Sequence, residues 1–171
     1  KQDANIANII ESAGKPFVIA VNKWDLENNK KYKRNKIEEK INEFLPQLGK
    51  ISIAYISAQM NKGINKLMQL SERVDKICDK RLSTSELNEF LIQVSKRHPH
   101  PNKNGRSVKI KYITQPKVRP SHFIIFCNYP SYIKDSYKRY LVNEIRREFD
   151  FDGVPIRIDF RRSDNPYDPK K

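Results

Sequence analysis

Cysteine is almost absent from this chain, with only Cys78 and Cys127 among 171 residues. One falls in a helical pattern and the other in an apolar strand pattern, so both read as buried, reduced thiols rather than a redox pair or a metal site. A reducing cytosol is the expected compartment. Disulfide staples are not needed, because a chain of 171 residues is long enough to bury a core. No apolar run approaches the roughly 20 residues of a membrane-spanning helix, and the first residues lack the basic, apolar and small-residue order of a signal peptide. Neither a membrane partner nor export is expected. Glycine is also scarce, five in all. None builds a G-x-x-x-x-G-K-[ST] phosphate loop: Gly14-Lys15 runs into Pro16, and Gly49-Lys50 has no glycine five residues upstream.

Acidic residues are outnumbered, 20 against 34 Lys plus Arg, for a formal charge of +14. A chain this basic commonly meets polyanions, and nucleic acid is the first partner to consider. The excess is uneven, 15 basic against 10 acidic residues up to Lys80 and 19 against 10 beyond it. The second half is therefore the expected polyanion contact.

Periodicity divides the chain near residue 80. The first half alternates helix and strand: a helix over 3–12 closed by Gly14, a continuous apolar strand over 17–21 covered on both faces, a polar loop over 22–36 and a helix carrying Ile37, Ile41, Phe44 and Leu45. A strand over 51–56 follows, and Gly63 opens a helix whose apolar face is Ile64, Leu67, Met68, Val74 and Ile77. This is an α-β-α-β-α slice of a doubly wound α/β sheet, and its two strands make a poor sheet by themselves. The chain also begins inside a helical pattern, so it reads as a piece of a longer protein.

The second half begins with Ser83 and Glu86, a capping box, before Leu87, Phe90, Leu91 and Val94 at helical spacing. His98-Pro99-His100-Pro101 stops that helix, and with no cysteine or acidic ligand nearby the two histidines read as a loop rather than a metal site. Strands are expected over 108–112, 123–127 and 156–161, with a long helix bearing Ile133, Tyr137, Leu141 and Ile145 between the last two, which would then pair in parallel. The result is an α+β unit of α-β-β-α-β order. Residues 83–162 are expected to fold on their own, and the tail from about 163 to fray.

Two turns carry chemistry. Asn22-Lys23-Trp24-Asp25 directly follows the first strand, where an open α/β sheet places its ligand. Guanine offers N1–H and the 2-amino group side by side, which one carboxylate accepts bidentately, so Asp25 can select guanine over adenine. Lys23 would lay its stem along the base, and Asn22 would tie the loops together. The plain alternative is an ordinary strand-to-helix turn, in which Asn and Asp are frequent. Against it stands Ser57-Ala58-Gln59 after the next strand, where a backbone N–H reaches guanine O6 and the Ser57 hydroxyl braces the Asp25 loop. Trp24 either shields the base or packs beneath the loop. Asp150-x-x-Gly153 imitates a metal-side motif of nucleotide hydrolases, but it follows a helix and reads as a turn.

These motifs match N-K-x-D and S-A-x of translation-factor-like GTPases. The second half resembles the C-terminal domain of the EngA (Der) family of bacterial GTPases through Gly105-Arg106, Lys109 to Tyr112, Gln115, Pro120, Phe123, Phe126, Asn128, Pro130, Ser136 to Leu141, Ile145-Arg146 and Gly153-x-Pro155-Ile156-Arg157. The first half, with Gln2-Asp3, its apolar strand into Asn22-Lys23-Trp24-Asp25 and Ile56-Ser57-Ala58, is similar to the second of that family's tandem GTPase domains. The resemblance implies a partial P-loop GTPase fold over 1–80 and a KH-like domain over 81–171. It also implies GTP or GDP with Mg²⁺ in a larger parent, upstream GTPase domains in the same protein, and partnership with ribosomal RNA and the large ribosomal subunit rather than DNA. The piece itself is expected not to hydrolyse GTP.

KH domains usually grip RNA with a G-x-x-G loop, and only Gly105 and Gly153 occur after residue 80. Any RNA contact must rest on charge and shape, with Arg106, Lys109, Lys111, Lys117, Arg119, Arg157 and Arg161 as candidates. Each alone is equally readable as a solvated surface cation. The run Lys30, Lys31, Lys33, Arg34 and Lys36 reads as a solvated loop. The rival reading is a non-enzymatic RNA-binding module in which the α/β slice is only a scaffold.

Overall fold

The computed structural model describes residues 2–100 and 107–163. It is a mixed α/β structure with two small sheets. The helix α1 (Gln2–Ser12) ends where Gly14 takes φ 69°, and its last carbonyls accept from Ala13, Gly14 and Lys15 N–H. Strands β1 (Ile19–Val21) and β2 (Ile53–Tyr55) pair in parallel, Ala20 opposite Ala54. Between them lies α2 (Lys30–Phe44), and α3 (Ile64–Cys78) follows β2.

Three expectations for this half are corrected. The first strand is short and half-buried, with Ala20 exposed, because its one described strand neighbour is β2 and nothing described covers both of its faces. The polar stretch 22–36 is not one loop. Asn29 caps α2 by accepting from Tyr32 N–H, so the basic run forms the first two turns of a helix. Phe44 and Met68, assigned to apolar faces, are 46% and 56% exposed. Leu45, Leu48 and Ile51 make the small core here instead, with Phe17, Ile19 and Ile41 against it.

The second half follows the expected order. The helix α4 (Thr84–Arg97) starts at the Ser83–Glu86 capping box, with Glu86 N–H donating to Ser83 Oγ and Ser83 N–H to Glu86 Oε2. Strands β3 (Ile110–Lys117), β4 (Ser121–Cys127) and β5 (Ile156–Arg162) form one sheet in the order β3-β4-β5, and α5 (Asp135–Glu148) joins β4 to β5. β3 runs antiparallel to β4 and β5 parallel to it. β3 begins later and runs longer than the expected 108–112, because its pairing partner β4 extends to Ser121. Phe123, Ile125 and Ile158 face α4 and α5 in the core with Leu87, Val94, Leu141 and Ile145. Gln115 is buried on this side, donating to Lys80 O and accepting from Leu82 N–H. Asp150 and Gly153, both at positive φ, form the turn into β5.

This core does not stop at residue 80. Val74 and Cys78 of α3, and Leu82 after it, belong to the same cluster as Phe123 and Ile158. A segment cut at residue 83 would leave those three positions empty, which loads a cavity penalty on the expectation that 83–162 folds alone. Other ties cross the same boundary. Gly153 N–H donates to Leu48 O at 3.0 Å, and Lys80 Nζ donates to Phe149 O at 2.8 Å.

Both cysteines are buried and free. Burial pushes the Cys78 thiol up to about 11 from an ordinary 9.0. A thiol whose pKa rises on folding supports the native state fully below pH 9, and that support disappears as pH climbs through about 11. The native chain should therefore lose stability between those limits and resist a thiol reagent such as DTNB at pH 8. Prompt labelling of the folded protein at pH 8 would contradict this.

Candidate functional site

The two turns singled out in the sequence lie side by side at the ends of β1 and β2. Trp24 N–H donates to Ile56 O at 2.9 Å, and Ile56 N–H to Val21 O at 2.9 Å, so parallel pairing carries the first turn directly onto the second. Asn22 Oδ1 accepts from Lys23 N–H at 2.8 Å and from Ala58 N–H at 3.0 Å. One amide oxygen thus binds both turns. The Ala58 N–H, a donor the sequence offers to guanine O6, is spent on that bond in this structure.

Lys23 adopts the left-handed conformation, φ 58° and ψ 33°, and its side chain is exposed. Asp25 is also exposed, beside the buried Ser57. Hydrogen bonding from the Ser57 hydroxyl holds the Asp25 carboxyl below its ordinary value, helped by a backbone hydrogen bond and by the charges of Lys62 and Lys30. The carboxylate is ionised, oriented and open to solvent. Ser57 and Lys62 exchange backbone hydrogen bonds of 2.9 and 3.0 Å, closing a loop that presents Ala58 and Gln59 outward. Gly63 makes this closure possible: at φ 79°, an added Cβ would meet Tyr55 O at 2.5 Å.

Trp24 packs beneath its turn. It is 7% exposed, with its ring centroid 4.3 Å from that of Tyr55, and the Arg34 guanidinium lies 4.8 Å over Tyr55. Sequence reasoning misses Tyr55, Arg34 and Lys62. Tyr55 stands two residues before Ser57 on the same side of the strand, a signal that the sequence carries; Arg34 is hidden in a run of cations whose helix reads as a loop.

The basic candidates do not form one cluster. Arg106 lies outside the described residues. Arg119 bridges Asp75 at 2.8 Å and forks onto Asp79, holding the Asp79 carboxyl below its usual range. Arg157 Nη2 donates to Ser12 O at 2.8 Å. Those two tie the second half to the first. Lys109, Lys111, Lys117 and Arg161 are exposed, the first two toward the start of β3 and Lys117 at its end. In the Lys30 run, Lys33 pairs with Glu27 at 3.3 Å and Lys36 lies 5.8 Å over the Tyr32 ring. His98 ends α4 and His100 is buried edge-on against Tyr137. Among the described residues, no group of three His, Cys, Asp or Glu side chains is placed to hold a metal, and no helix is long and apolar enough to cross a membrane.

Comparison with known proteins adds to this geometry. Residues 81–161 match the family described as the KH-domain-like of EngA bacterial GTPase enzymes, C-terminal. Across its whole length the chain is 39% identical to GTPase Der of Roseobacter denitrificans, and over 98% of its length 42% identical to GTPase Der of Bartonella tribocorum. GTPase Der of Rhizobium meliloti is 41% identical over 99% of the chain. The chain spans only 35 to 36% of the length of these relatives. Among solved structures, a point variant of Aquifex aeolicus Era bound to GDP.AlF4- is 19% identical over 94% of this chain and 60% of its own, at a TM-score of 0.32.

Proposed function

We propose, from the premise that this chain belongs to the EngA (Der) family of bacterial GTPases and matches its C-terminal part, that residues 1–80 are the base-reading end of a GTP-binding domain. Residues 81–171 are then a KH-like module that contacts ribosomal RNA in a cytoplasmic GTP hydrolase assisting large-subunit assembly. The observation that carries the first part is the Asn22–Ala58 tie, which brings the oriented, ionised Asp25 carboxylate beside Ser57, Ala58 and Gln59. A base laid against these turns would meet Asp25 at its N1–H and 2-amino edge and the Lys23 stem on its face. In such a hydrolase the phosphates, Mg²⁺ and attacking water are handled by motifs other than these two. Recognition is the role assigned to these residues, and no turnover is expected from this chain by itself.

The test is competition for nucleotide in the full-length gene product, read as the difference between wild type and Asp25→Ala so that binding by upstream GTPase domains cancels. Unlabelled GDP should displace a fluorescent GDP, while ADP should fail by roughly two orders of magnitude or more, because adenine leaves the Asp25 carboxylate without its paired donors. Equal competition by ADP would remove the guanine reading, and identical nucleotide binding in wild type and Asp25→Ala would favour the scaffold-only alternative.

A further inference from the structure

We propose that the face of the three-stranded sheet turned away from α4 and α5 is a stacking platform for unpaired RNA bases, centred on the Tyr112–Phe126 ring pair and edged by Lys117, Arg157 and Arg161. It rests on the RNA-contacting reading of this half and adds the surface and the form of RNA it takes.

Alternation along the strands defines the face. Phe123, Ile125 and Cys127 of β4 are fully buried on the helix side, so His122, Ile124 and Phe126 lie on the other. Register places Tyr112 and Arg161 beside Phe126, and Lys117 and Arg157 beside His122. Tyr112 and Phe126 stack at 4.3 Å between centroids with planes 14° apart, and Tyr112 is 40% exposed. A cross-strand aromatic pair on a solvent face supports the sheet by itself. What that support does not explain is the charge around it. Three cations share the face with a single described carboxylate, Asp159, and that carboxylate bonds His122 at 2.8 Å.

An exposed tyrosine ring stacked on a half-buried phenylalanine and flanked by positive charge is complementary to a chain that alternates flat bases with phosphates. Bases already paired in a duplex hide their faces, so a single strand fits this surface and a duplex does not. Arg161 sits one strand spacing, about 4.8 Å, from Phe126, within reach of the phosphate of a base stacked there. Lys117 lies roughly 13 Å further along the strand direction, placed for a phosphate at the other end of a short segment, beside Arg157, whose Nη2 is engaged with Ser12 O and adds charge there. A cleft at that end of the sheet, reaching round to α5, is lined by Lys117, His122, Lys138, Arg157 and Asp159. No glycine loop is needed for this mode of binding.

The experiment is fluorescence anisotropy of a labelled, unstructured 12-nucleotide RNA and of a blunt 12-base-pair RNA duplex with the 171-residue chain across a salt series. The single strand should bind tighter, with log affinity falling linearly in log salt. Tyr112→Leu keeps an apolar contact with Phe126 but removes the ring, and it should weaken single-strand binding roughly tenfold at an unchanged salt slope, whereas Tyr112→Phe should retain it. Arg161→Gln should instead reduce the slope by about 0.7. Unchanged affinity in Tyr112→Leu, or preference for the duplex, would overturn the platform while leaving RNA contact by charge intact. No binding of either RNA by the wild-type chain at low salt would overturn both, and would point to a protein as the occupant of this face.

Discussion

Asparagine at position 25 should transfer the preference of this one nucleotide site in the full-length protein from guanine to xanthine nucleotides, while an upstream GTPase domain keeps its own. Asp25 presents two acceptor oxygens, fixed and kept ionised chiefly by hydrogen bonding from Ser57, with the charges of Lys62 and Lys30 adding to it. Guanine meets them with two donors, so substitution by asparagine puts an amide N–H against the 2-amino group and leaves a donor without an acceptor. The loss should be roughly a hundredfold or more in GDP affinity, because a site built around paired hydrogen bonds rejects the analogue that leaves them unmade. Xanthine carries a 2-oxo group, which accepts from the new amide, so XDP should gain where GDP loses. Calorimetric titration of wild type and Asp25→Asn with both nucleotides reads this directly. An unchanged number of GDP sites and unchanged affinities in the two proteins would remove Asp25 from the site, and loss of one GDP site with no XDP site gained would assign it a structural role only.

Removing Arg146 should cost about 3 kcal/mol of folding stability. The residue is 5% exposed on α5, and its Nη1 donates to Val154 O at 2.8 Å and to Phe151 O. Burial drags its pKa down to about 10, against the opposing pull of Asp152 and Glu11. Keeping a charge there is itself unfavourable, so the guanidinium is retained for what it donates. It fastens the turn between α5 and β5 in the same place where Gly49 of the first half comes up against it, so close that an added Cβ on Gly49 would sit 2.6 Å from Arg146 Cδ. Arg146→Ala takes the guanidinium from Val154 O and leaves Phe151 O with Val154 N–H as its donor, and it opens a cavity at that junction. Arg146→Met keeps most of the stem and relieves the buried charge, and should lose about half as much. Urea unfolding of the three proteins separates these contributions. A cost below about 1 kcal/mol for Arg146→Ala would show that the turn holds without it.

What the sequence made legible was whatever is written locally. Ser83 and Glu86 announced α4 because both partners of a capping box lie within one turn. The parallel β4–β5 pairing followed from the helix length between two apolar segments. The motif turns were readable because a ligand site at strand ends needs particular residues at fixed offsets. Illegible were features set by distant neighbours. Arg119 and Arg157 looked like free cations, yet their partners Asp75, Asp79 and Ser12 lie far back along the chain. The burial of β1 depends on which strands flank it, which its own composition does not record. In α2, five cations in seven residues masked the helix start, although Asn29 stood in the position where a cap belongs.

The ring packed under the first turn also makes the protein its own optical instrument. Trp24 is the one tryptophan in the chain, so essentially all emission excited at the red edge of aromatic absorption comes from a single place. That indole touches Tyr55 and lies 5.8 Å from the Arg34 guanidinium, and a shift of the turn against β2 would change both its polarity and its quenching. Colour and lifetime of the native emission therefore track this turn alone, without any attached dye.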